Sequence, residues 1–204
     1  MDEEALINAA QKGDLDSFNS LVLHYQNQVY NVAYRIMGEG DSAADATQEA
    51  FISAYKSIRR FRGGSFRGWL LRIVTNACYD ELRRRKRRPA TSLDDKAEWL
   101  EGSEDDEAGG LAYRPPGPER ATQQFELAEA LQECIRRLPL EFRTVAVLVD
   151  VQEMNYQEVA EVVGSPLGTI KSRVARARAR LRECMQTFRE LLPAKYRLED
   201  EAIR

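Results

Sequence analysis

The stretch from Pro89 to Glu119 constrains this chain more than any other, because it cannot join a packed core. It carries nine acids and two bases, includes GSEDDEAGG and RPPGPE, and offers few large apolar side chains. Low hydrophobicity with high charge leaves too little burial to offset the entropy of ordering. Residues 89–119 therefore read as a flexible acidic linker, with Trp99, Leu100, Leu111 and Tyr113 as contact points within it. The flanking segments must each bury a core. The predicted fold is all-α: two small helical domains, 1–88 and 120–192, followed by a tail, 193–204.

Helical spacing supports this division. A short helix is expected from Glu3 to Gln11. A second, capped by Asp14 or Asp16, carries Phe18, Leu21, Val22, Tyr25, Val29, Val32, Ala33 and Ile36 on one face and ends at Gly38 and Gly40. Asp41 or Ser42 is expected to cap a third helix through Ser57, with Ala46, Ala50, Phe51 and Tyr55 inward. Arg62-Gly63-Gly64-Ser65 reads as a loop. A fourth helix runs from Phe66 into the basic run 83–88 and stops at Pro89. Beyond the linker, Phe125, Leu127, Ala130, Leu131, Ile135 and Leu138 form an apolar stripe from about Ala121. Pro139 suits the first turn of the next helix, which continues through Phe142, Val145, Ala146, Leu148 and Val149.

Residues 155–182, NYQEVAEVVGSPLGTIKSRVARARARLR, carry the strongest local pattern. Asn155 with Glu158 makes a capping box, Gly164 ends a short helix in the left-handed region, and Ser165-Pro166 starts the next. Two helices around so tight a turn form a helix-turn-helix. The second bears Lys171, Arg173, Arg176, Arg178, Arg180 and Arg182 with no intervening acid, while Ile170, Val174, Ala177 and Leu181 form its packing stripe. Its first turns suit the major groove and its later arginines suit phosphates. The residues alone also permit a solvated terminal helix, or one that docks on an acidic protein.

A net charge of −3 conceals sharp blocks. Residues 1–58 hold nine acids and three bases; 59–88 hold eleven bases and two acids. Basic blocks attract phosphate. No run approaches the roughly 18–20 apolar residues of a membrane span, and MDEEALINAAQKGD lacks an apolar signal core. A cytoplasmic chain without membrane insertion is expected. Cys78, Cys134 and Cys184 lie far apart with no Cys-x-x-Cys pair, which argues against a disulfide framework or zinc site. The one histidine, His24, lies in an amphipathic stretch and reads as a packing or surface residue. No P-loop is present, and the acids 104–107 offer poor cation geometry. No catalytic residue, metal or cofactor is expected, and the chain does not read as an enzyme.

Residues 41–87, DSAADATQEAFISAYKSIRRFRGGSFRGWLLRIVTNACYDELRRRKR, resemble the second conserved region of extracytoplasmic-function (group IV) RNA polymerase sigma factors. LPLEFRTVAVLVDVQEMNYQEVAEVVGSPLGTIKSRVARARARLR resembles their fourth region, and the order and acidic linker match as well. The resemblance implies that Asp45, Gln48, Glu49 and Phe51 dock on the clamp helices of the polymerase largest subunit. The residues by themselves read as an ordinary solvated face, with Asp near a helix N-terminus favoured by the dipole.

The resemblance also assigns FRGGSFRGWL to capture of a base flipped from the minus-ten element. Phe61, Ser65 and Phe66 line or support that receptor, with Asn76 from the following helix. Arg59, Arg60, Arg62, Arg67 and Arg72 supply its cationic wall, and Arg83 begins a run that follows phosphates. Trp69 reads as a core residue beside Leu70, Ile73 and Val74. Thr169, Lys171, Ser172, Arg173 and Arg176 are implied to meet duplex at the minus-thirty-five element. Ala175 departs from an aromatic found in the family, which leaves the preferred upstream sequence open.

The implied partners are core RNA polymerase, promoter DNA and, as a candidate, an anti-sigma factor. The linker is implied to run towards the RNA exit region, although a plain tether explains its composition equally well. Two rival readings stand beside this one. A conventional DNA-binding regulator would use only the helix-turn-helix. A non-DNA adaptor would use its basic helices against acidic proteins.

Overall fold

The computed structural model describes residues 2–87, 118–193 and 196. The expected linker 89–119 falls outside these residues except at its last two positions, and most of the tail also lies outside. Among the described residues the secondary structure is helical throughout. The first domain holds α1 (Glu3–Gln11), α2 (Leu15–Met37), α3 (Gly40–Ser57), a 3-10 turn (Ile58–Arg60) and α4 (Phe66–Arg87). The second holds α5 (Pro118–Arg137), α6 (Leu140–Ala146) leading into a π-type turn (Val147–Val151), α7 (Tyr156–Val163) and α8 (Leu167–Gln186).

Local chemistry explains most boundaries. Asp14 caps α2 by accepting from the Asp16 amide, and Gly38, at φ 83°, ends it in the left-handed region. The second helix buries the expected face: Val29, Val32, Ala33 and Ile36 are wholly enclosed, and Val22 is half-buried. Asn155 and Glu158 complete the capping box of α7, and Gly164, at φ 63°, terminates it. Losing that cap costs about 1 kcal/mol. Asn155→Ala is therefore expected to lower the urea midpoint without changing the slope of the transition; an unchanged midpoint contradicts this assignment.

Several expected positions shift. The N-cap of α3 is Glu39, not Asp41 or Ser42. Instead of holding an amide, Ser42 donates its hydroxyl to Glu39 Oε2 at 2.6 Å. Pro139 and Pro166 sit at the N-cap rather than inside the first turn, so α8 begins at Leu167. Helix α5 begins at Pro118, two residues inside the expected linker, since proline tolerates a first helical position. Phe125 is 64% exposed, and Leu131 and Tyr55 are also exposed, so these three leave the predicted stripes. Periodicity marks a face, and here neighbouring helices cover only part of it.

The domains pack against each other. Met154, Val159 and Val162 share one apolar cluster with Phe66, Leu70 and Val74 of the first domain. Polar contacts follow the same seam: Tyr79 donates to Thr144 Oγ1 at 3.0 Å, and Arg143 Nη1 donates to Ile36 O at 2.5 Å. Arg143 also donates to the Arg136 and Leu138 carbonyls. Burial lowers its pKa from the ordinary arginine value, an effect the nearby Arg136 charge reinforces.

Candidate polymerase and nucleic-acid interface

On α3 the small residues Ala43, Ala46, Ala50 and Ala54 are buried against the first-domain core. Asp41, Asp45, Gln48, Glu49 and Ile52 consequently point to solvent. Exposed Ile52 and Tyr55 extend this acidic face with apolar surface. Phe51 is half-buried and packs on the core, so it supports the face from behind.

The loop after α3 is built on an aromatic cluster. Phe61 meets Phe66 edge-to-face at 5.6 Å between ring centres, and Trp69 lies 5.3 Å from both. Phe66 is 2% exposed and forms the buried base of the cluster; Phe61 and Trp69 are half-buried above it. Trp69 thus joins the core on one side and the loop cavity on the other. Gln11 Nε2 donates to the Ile58 and Phe61 carbonyls at 3.1 and 2.8 Å, which ties the loop entry to α1. Gly63 and Gly64 both take positive φ, at 93° and 87°. Ser65 Oγ accepts from the Gly68 amide at 3.0 Å, so it caps α4.

An open cavity of about 340 Å³ lies over this loop. Arg60, Arg62, Arg72, Phe61, Ser65 and Trp69 line one side; Met154, Glu158, Glu161 and Val162 of the second domain line the other. Asn76 is exposed and is not among the lining residues; it stands about 15 Å of helical rise beyond Phe66. Arg67 donates to the Gln152 carbonyl, so this predicted DNA contact is held by the domain seam.

The basic end of α4 is partly neutralised. Arg83 pairs with Asp80 at 3.7 Å, and Arg84 pairs with Glu81. Arg85 bridges Glu39 at 2.7 Å and Glu81 at 3.0 Å. Burial pushes the Glu39 carboxyl up, but hydrogen bonds from Ser42 and Arg85, with nearby positive charge, outweigh it and leave the pKa lowered. A depressed folded pKa contributes stability above the unfolded carboxylate value of about 4.3 that is lost as pH falls through the folded value. Melting temperature should therefore drop on acidification below about pH 4, and less steeply in Glu39→Gln. An identical acid profile in that variant contradicts the linkage.

On α8, Ile170, Val174 and Ala177 are buried, which turns Lys171, Ser172 and Arg176 outward. Thr169 is half-buried, and its carbonyl accepts from the Ser172 hydroxyl at 2.9 Å. Arg173 is turned inward in part: it pairs with Glu141 at 2.6 Å and contacts Ser165 Oγ at 3.3 Å. Arg178 pairs with Asp150 at 2.5 Å. Sequence reasoning missed both partners, and it missed the second-domain wall of the cavity. Only the three-dimensional crossing of helices places these groups together.

Residues 21–88 match the Sigma-70 region 2 family, and residues 128–181 match Sigma-70, region 4. The chain is 36% identical over 185 residues to the RNA polymerase sigma-H factor of Pseudomonas aeruginosa, covering 90% of this chain and 94% of that protein. It is 36% identical over 177 residues to the ECF RNA polymerase sigma-E factor of Escherichia coli K12, covering 86% and 90%. It is 34% identical over 169 residues to the ECF RNA polymerase sigma factor SigE of Mycolicibacterium smegmatis, covering 83% of this chain and 62% of that longer relative.

Two solved structures share the fold. CnrH in complex with the cytosolic domain of CnrY gives a TM-score of 0.64 at 22% identity, covering 91% of this chain and 97% of that one. Sigma factor RpoE with anti-sigma factor NepR from Bartonella quintana gives 0.62 at 24%, covering 84% and 98%. A region 2 match followed by a region 4 match, together with two 36%-identical relatives covered over 94% and 90% of their length, places this chain in the ECF family of RNA polymerase sigma factors.

Proposed function

We propose that this chain directs core RNA polymerase to specific promoters and holds the opened strand during initiation, while catalysis stays with the polymerase. The observation that carries this reading is the pairing, in one chain, of an aromatic-floored cationic loop with a basic helix-turn-helix. The exposed face of α3, centred on Asp45, Gln48 and Glu49, meets basic side chains of the polymerase. Lys171, Ser172 and Arg176 read upstream duplex, with Arg173 joining them if it exchanges Glu141 for DNA. Phe61 and the surrounding arginines receive an unstacked base, whereas Phe66 and Ser65 shape the receptor through packing and capping. The chain acts in the cytoplasm, where its polymerase and DNA reside.

The loop meets a displaced strand only after the second domain moves away. In the packed arrangement Glu158 and Glu161 face the cavity, and Arg67 is held at Gln152. An anti-sigma factor that stabilises the packed form would keep the chain inactive; the structurally similar RpoE of Bartonella quintana was solved in complex with the anti-sigma factor NepR.

The test is binding of labelled promoter fragments by chain alone, sigma-free core polymerase alone, and both together. The proposal expects a salt-sensitive ternary complex that needs both proteins. Equally tight specific binding by the chain alone supports the conventional-regulator reading instead.

A further inference from the structure

Cys134 and Cys184 are 50 residues apart in sequence, yet α5 and α8 bring their Cα atoms to 5.7 Å and their sulfurs are bonded. This overturns the expectation, drawn from sequence spacing, that the cysteines do not form a disulfide. The Cα separation suits an unforced bridge. Cys134 is 1% exposed, whereas Cys184 is half-buried and reachable from solvent. The third cysteine, Cys78, is free and lies wholly buried in the first domain. Burial pushes its thiol up to about 12, so it is a poor competitor for oxidants.

The surroundings show what the bridge does. It lies in a small apolar cluster set apart from the main core, with Ala130, Cys134 and Met185 as its buried members. Few buried side chains hold the end of α8 against α5, so a covalent tie matters there. The closed loop contains α6, α7 and nearly all of α8, which is the entire helix-turn-helix. Two residues to either side of Cys134, Gln132 donates to Tyr34 O at 3.4 Å and Arg136 crowds Gly38. The same turn of α5 therefore touches both the DNA-reading helix and the first domain.

We propose that Cys134 and Cys184 form a thiol–disulfide redox site that fastens the C-terminal end of the DNA-reading helix to α5 when the chain meets low-molecular-weight disulfides. The accessible Cys184 thiolate attacks the small disulfide, which breaks its S–S bond and releases one small thiol. Cys134 then attacks the mixed disulfide at the Cys184 sulfur, which forms the internal bond and releases the second small thiol. The two cysteines lose two electrons; the small disulfide gains them, and the two cysteine protons finish on the released thiols. In a reducing compartment the pair begins as free thiols, so the bond registers an oxidising change.

The test uses the full chain, reduced, then incubated with oxidised glutathione, denatured and alkylated for intact-mass and peptide analysis. Mass analysis should find three alkyl groups on the reduced control, but a Cys134–Cys184 peptide and one alkylated thiol, at Cys78, on the oxidised chain. Its melting midpoint should exceed that of the reduced chain by roughly 10 °C, from the entropy of closing so long a loop. Cys184→Ser should melt like the reduced chain and ignore the oxidant. Three alkylated thiols, a persistent glutathione adduct in place of the bridge, or equal midpoints for oxidised and reduced chain would each overturn the proposal. None of these readouts uses polymerase or DNA, so they stand apart from the promoter reading.

Discussion

Asp45→Arg should reduce promoter-dependent transcription by about 100-fold while leaving the melting temperature unchanged. Asp45 is exposed on α3 and carries no described hydrogen bond or ion pair, so its replacement disturbs little within the fold. The helix is held by the buried alanines on its other side. At a docked interface the reversal removes one attractive pair and sets like charges together, and truncating one partner of such a pair costs about 2–5 kcal/mol. The measurement is abortive transcription together with a competition titration against core polymerase. A variant that initiates normally would remove α3 from the docking surface; one that also loses melting temperature would show that Asp45 is structural. Gln48→Ala, which only trims a neutral contact, should lie between wild type and Asp45→Arg.

Arg176→Ala should weaken promoter capture by the assembled polymerase by about 5- to 150-fold, the equivalent of one bidentate base contact at about 1–3 kcal/mol. Arg176 stands out because its neighbours are engaged: Arg173 with Glu141 and Arg178 with Asp150. Arg176 is exposed with no such partner among the described residues. If it reads a base, the loss should concentrate on one upstream position and leave the salt slope nearly intact. If it meets phosphate, affinity should fall for every sequence and the slope should flatten by about one. Unchanged capture would place the reading surface elsewhere on α8.

Capping chemistry makes the helix-turn-helix legible in the amino-acid sequence, because it acts within a few residues. Asn155, Glu158 and Gly164 specify α7 from their own side chains and backbone, and each is found in that role. Gly38 marks the end of α2 in the same way. Features set by helix crossings are not legible. The Cys134–Cys184 bond depends on how α5 crosses α8, and the engagement of Arg67 depends on how the end of the π-type turn, at Gln152, lies against α4. Phe125 illustrates the limit of periodicity, since its stripe position is apolar while no described helix covers it. The α3 face is an ordinary acidic surface by its residues; only family resemblance suggests its role. Ser65 and Phe66 read in the sequence as lining or supporting the receptor; the structure adds that Ser65 caps α4 while lining the cavity, and that Phe66 is buried beneath Phe61 and Trp69.

The most direct test of the central claim is reconstituted transcription, with the purified chain and sigma-free core polymerase on a library of genomic promoter fragments. The account predicts discrete start sites that appear only when the chain is present and fade with Asp45→Arg and with Arg176→Ala. Well-folded chain, free of any inhibitor, that neither binds the polymerase nor yields a start site would contradict it.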